Sequence, residues 1–148
     1  MAGVRDIIHS FVFMVNQCEV ITLCLEVCYE NNLPFDKVYN LIGQVKECID
    51  ETIDDCQKYL KHKEHDDVSA ILNRCISYKD EFEKSPSQTR VAKRIYKDNK
   101  RWYNHLDAKP QPWYKQKIKW DKETAILFCK TEAKFNLDKN INTEENKQ

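Results

Sequence analysis

Glycine is almost missing from this chain: only Gly3 and Gly43 occur in 148 residues. Two distant glycines cannot build a phosphate-cradling loop or a dinucleotide fingerprint, each of which needs several glycines in one turn. Few left-handed turns and few tight hairpins follow as well. Also missing are the HExxH zinc motif, the GxSxG elbow and the kinase signatures. No strand-like alternation stands out, and no internal repeat is apparent.

Net charge is absent too, with 24 Lys and Arg against 24 Asp and Glu. That balance hides a strong asymmetry. Residues 1–83 hold eight cations against sixteen acids, a net of −8. Residues 84–119 hold eleven against two, a net of +9, and residues 120–148 hold five against six. Every Trp lies in or beside the basic stretch, at Trp102, Trp113 and Trp120. A division of this kind points to an anionic partner, or to docking of the basic part on the acidic part.

What is present is helical periodicity. Apolar residues recur at three- and four-residue steps through Ile7, Phe11, Met14, Val15, Cys18, Ile21, Leu25 and Cys28, which predicts a first helix over 4–31. Val12, Phe13, Val20 and Leu23 widen its stripe, so it is expected at the centre, covered on more than one side. The run is nearly long enough to span a bilayer, but Asn16, Gln17 and Glu19 interrupt it, which favours a buried core helix. A second helix is predicted over 35–62 on Val38, Ile42, Val45, Ile49, Ile53, Cys56 and Leu60, with Glu47, Asp50, Glu51, Asp54 and Asp55 on a solvated face. A third spans 67–83, capped by Asp66 or Asp67, with Val68, Ile71, Leu72, Cys75, Ile76 and Phe82 inward. Ser85 and Pro86 read as the cap and first residue of a fourth helix over about 87–106. Pro110 and Pro112 then impose a loop, and Asp121 opens a last helix over 121–136 with Ala125, Ile126, Phe128, Cys129 and Ala133 inside. The expectation is an all-α chain: a small helical bundle of about five helices with a disordered C-terminal tail. Residues 1–137 form one helical domain in this reading, divided into an acidic bundle at 1–83, a basic aromatic segment at 84–120 and the last helix, with the tail at 138–148.

Seven cysteines precede or follow no secretory pattern, so reduced thiols in the cytoplasm or nucleus are expected. Cys24 and Cys28 lie four apart and can face one point, but no CxxC knuckle is present and the thiols fit apolar stripes. Core packing is their expected role, with no metal and no cofactor. The histidines His9, His62, His65 and His105 have no sequence relation to any Cys that would assign a nucleophile and its base.

The stretch at 90–119 remains. Arg and Lys neutralise phosphates, and aromatic rings give bases a surface to stack on. Arg90, Lys93, Arg94, Lys97, Lys100 and Arg101 recur at helical steps, whereas Lys115, Lys117 and Lys119 alternate as in an extended arm. With Trp102, Tyr103 and Trp113 as stacking residues, these form the candidate nucleic-acid contact surface. The expected function is that of a non-enzymatic nucleic-acid-binding accessory protein. The competing reading is a protein-interaction adaptor, in which the basic segment grips an acidic protein or the apolar first helix offers a groove. A homodimer is expected if the apolar faces exceed what one bundle covers, and membrane association is the least favoured partner class.

Overall fold

The structure, a computed structural model, describes residues 1–100 and 120–130. Within them the chain is all-α, with helices α1 (Val4–Asn31), α2 (Asp36–Leu60), α3 (Asp66–Lys84) and α4 (Gln88–Asn99). A fifth helix, α5, occupies 122–130. The helical bundle expected from the periodicity is what the chain forms. The tail at 138–148, Ala133, and the loop around Pro110 and Pro112 lie outside the described residues.

Helix α1 is the axis of the bundle. It packs against α2, α4 and, over a shorter length, α3. Ile7, Phe11, Met14, Cys18, Ile21, Cys24 and Val27 have no exposed surface at all. Its length and apolarity would suffice to cross a membrane, yet these side chains are spent on the other helices. Phe13, on the remaining side, is 48% exposed. The helix opens at Gly3, whose backbone N–H donates to Asp6 Oδ2 at 3.1 Å. It closes at Asn32, which takes the left-handed conformation (φ 55°) that few residues other than Gly and Asn adopt cheaply.

Short links make the consecutive helices neighbours. Helix α2 buries Val38, Leu41, Ile42, Val45, Ile49, Thr52 and Cys56, with Ile53 and Leu60 half-buried. Helix α3 buries Val68, Ile71, Cys75, Tyr78 and Phe82, with Leu72 half-buried. Two expectations are corrected here. Ile76 is 46% exposed, because the inward stripe of α3 runs through 71, 75, 78 and 82 and passes it by. The α3 cap is neither Asp66 nor Asp67 but His65, whose Nδ1 accepts from the Asp67 N–H at 3.1 Å.

The fourth helix is corrected as well. Ser85 closes α3, its N–H donating to the Glu81 carbonyl at 2.8 Å. Ser87 caps α4, its Oγ accepting from the Arg90 N–H at 3.3 Å, and the helix begins at Gln88. Its described course runs to Asn99, and the expected continuation to about residue 106, with Trp102 and Leu106, lies outside the described residues. A buried polar cluster fixes that end. Asn99, with no exposed surface, donates to Tyr78 Oη at 2.6 Å and to the Ile95 carbonyl at 2.8 Å, and accepts from Arg74 at 2.9 Å.

Helix α5 opens as expected at Asp121, whose Oδ1 accepts from the Thr124 N–H at 2.7 Å. It buries Ala125 and Cys129 against the C-terminal half of α1 and leaves Ile126 and Phe128 half-buried. Lys122 pairs with Glu26 at 3.0 Å and Glu30 at 3.1 Å.

Candidate nucleic-acid interface

Helix α4 carries the described part of the basic stretch, so its geometry decides what that part presents. At about 100° per residue, the buried side chains Val91, Ala92, Ile95 and Asn99 share one face, which packs on α1 and α3. Arg90, Lys93, Arg94, Lys97 and Lys100 fall within an arc of roughly 120° on the opposite face. All five are exposed. Helical spacing thus turns a loose run of cations into one surface, roughly 15 Å long at 1.5 Å per residue.

The five are not equivalent. Arg94 is ion-paired with Glu81 of α3 and reaches Asp98 in its own helix at 3.4 Å. It is half-exposed and holds α4 onto α3. Arg90, Lys93, Lys97 and Lys100 make no ion pair among the described residues and are available to an external anion. Arg101, Trp102, Tyr103, Trp113, Lys115, Lys117 and Lys119, also expected in the surface, lie outside the described residues.

Of the acids of the front half, Asp80 and Glu81 border the basic face at Arg90 and Arg94, whereas those of α2 lie elsewhere. On α2, Asp54 pairs with Lys58 at 2.9 Å and Asp50 with Lys79 of α3 at 3.0 Å, both on open surface. Among the described residues no group of three or more His, Cys, Asp or Glu side chains could hold a metal ion.

The thiols belong to the core. Cys18, Cys24, Cys28, Cys56, Cys75 and Cys129 are buried, Cys48 is half-buried, and all seven are reduced. Burial pushes Cys18, Cys28 and Cys56 up to about 12 and Cys129 up to about 11, and it raises Cys75 as well. A thiol held protonated in an apolar site is a poor nucleophile. Cys28 and Cys129 meet at 3.7 Å between sulfurs where α5 lies on α1. Of the histidines, His65 is committed to its cap, His62 is exposed and His105 lies outside the described residues.

No protein-family model, no curated protein and no solved structure matches the chain. The fold and surface therefore define only a class: an all-α bundle that displays one basic helix face.

Proposed function

We propose that this is a non-enzymatic nucleic-acid-binding accessory protein in which the bundle is a scaffold and the outer face of α4 is the contact surface. The observation that carries the reading is the alignment of Arg90, Lys93, Lys97 and Lys100 on one exposed face, with no ion pair among the described residues. A cationic face of this kind meets a polyanion by displacing its condensed counterions, with no sequence preference. Arg94 serves as a brace between α3 and α4 instead of a phosphate ligand. The adaptor alternative places an acidic protein on the same face. It differs in its partner, because a folded acidic protein lacks the dense phosphate charge that makes salt dependence steep.

The test is a fluorescence-anisotropy titration with random-sequence single- and double-stranded DNA and RNA at several salt concentrations. Four phosphate contacts predict a slope of about −3 to −4 in log affinity against log salt, a loss on the order of a hundredfold between ~50 and ~200 mM. Binding that changes less than about twofold over that range would reject the proposal.

A further inference from the structure

Two cysteines 101 residues apart in the chain meet at the seam between α1 and α5. Cys28 Sγ lies 3.7 Å from Cys129 Sγ, and each residue is 1% exposed. Core packing explains a thiol in an apolar stripe, but it does not require two sulfurs to touch across two helices. A disulfide holds its sulfurs at about 2.0 Å, which leaves about 1.7 Å to be closed. Cys24 stands one turn earlier on α1 and borders the same pair. Cys18 and Cys75 have no exposed surface and lie on α1 and α3, away from this seam.

While the seam is closed the pair is inert, because both thiols are held protonated away from water. Yet this seam is where the bundle opens at least cost. Among the described residues of α5 only Ala125 and Cys129 are buried, whereas each of the other helices buries four or more side chains. The ion pairs of Lys122 with Glu26 and Glu30 are exposed and add little. An element with few buried contacts opens locally while the rest stays folded. Lifting α5 bares Cys28 and Cys129 together and returns both thiols toward their ordinary acidity. We infer that Cys28 and Cys129 are a redox pair that links α5 to α1 as a disulfide when the protein meets a small disulfide such as oxidised glutathione. First the Cys129 thiolate attacks one glutathione sulfur. A bond from Cys129 to glutathione forms, the glutathione S–S bond breaks, and one glutathione leaves as its thiolate. As α5 settles back, the Cys28 thiolate attacks Cys129 Sγ and the second glutathione leaves. Two protein thiols give up two electrons and two protons, and one glutathione disulfide becomes two glutathione thiols. The link closes a loop of about 100 residues and pins α5, with the adjoining Trp120, where the basic stretch ends.

The test incubates the intact reduced protein in glutathione buffers from fully reduced to fully oxidised. An alkylating reagent stops the reaction, and mass spectrometry of the unreduced peptides maps the bonds. The expected main product is a Cys28–Cys129 cross-link, formed without denaturant, with a Tm higher by about 10 °C that dithiothreitol reverses. Cys129→Ala should lose the link and the shift, and Cys24→Ala should keep both. Timed alkylation of the reduced protein reads the opening step: Cys28 and Cys129 should react at least about tenfold faster than Cys18 and Cys75. If either variant fails to fold, the wild-type map and rates decide. No Cys28–Cys129 cross-link in the fully oxidised buffer would overturn the inference. So would a main product through Cys24, or equal alkylation rates at the four thiols.

Discussion

Raising the pH from about 8 to about 10 under reducing conditions is expected to remove on the order of 7 kcal/mol of stability, close to the whole margin of a small domain. The cause is the buried thiols. Cys18, Cys28, Cys56, Cys75 and Cys129 expose 1% of their surface or less. In the unfolded chain each ionises near its ordinary value of 9.0, whereas burial holds Cys18, Cys28 and Cys56 protonated to about 12 and Cys129 to about 11. Below pH 9 both states carry the proton and stability does not depend on these groups. Above it the unfolded state alone loses protons, so stability falls until the folded thiols ionise in turn. At pH 10 each thiol costs about 1.4 kcal/mol. Urea unfolding followed by circular dichroism across this range measures the effect, and replacing Cys18 by Ala should make the pH dependence shallower. A flat profile from about pH 8 to about 10 would mean that the thiols meet water in the folded protein.

The second large effect is expected at Asn99. Asn99→Leu keeps the volume but removes the amide that bonds both Tyr78 Oη and Arg74. An unmade buried hydrogen bond costs about 1–3 kcal/mol and one to a charged group more, so a loss of about 3 kcal/mol is expected. That corresponds to a fall of about 10 °C in Tm for a chain of this size. Adding Tyr78→Phe to the same protein should recover part of the loss, because the buried hydroxyl that lost its short bond to Asn99 is then gone. A change below about 1 kcal/mol would show that the cluster is not what seats the end of α4. The cluster matters for the proposed binding because it fixes the rotation of α4, and with it the direction of the cations.

The helices were legible because apolar spacing is a local property. The bounds of α1 follow from its stripe and from the Asn-Asn-Leu-Pro break, and Asp121 is readable as a cap because an acid stands three residues before its N–H donor. Caps that depend on a choice between neighbours were not legible. Ser85 and Ser87 have the same chemistry, and only the path of the chain decides that the first closes α3 and the second opens α4. Histidine is an uncommon cap, so His65 gave no signal beside two aspartates. Tyr78 and Asn99 lie 21 residues apart, and nothing local shows that a phenol and an amide will satisfy each other inside the core. The basic face was partly legible. Spacing placed the cations on one side of a helix, but it could not separate Arg94, which braces α3, from the four that face outward. The cleft lined by Gln17, Lys37, Asn40, Gln44, Trp120 and Phe128 was not visible at all, since these residues converge only when α1, α2 and the start of α5 meet.

The central claim is that the outer face of α4 holds nucleic acid, and charge reversal at Lys93, Lys97 and Lys100 tests it most directly. These residues are exposed, make no ion pair among the described residues and take no part in the Arg94 brace, so the Lys93→Glu/Lys97→Glu/Lys100→Glu protein should keep its fold and its thermal transition. Anisotropy titrations of both proteins at low salt are the measurement. The account predicts that the variant binds nucleic acid roughly a hundredfold or more weakly and loses most of the salt dependence. Equal affinity in the two proteins would contradict it, as would a wild-type protein that binds no nucleic acid at low salt. The cations of α4 would then have to answer to an acidic protein.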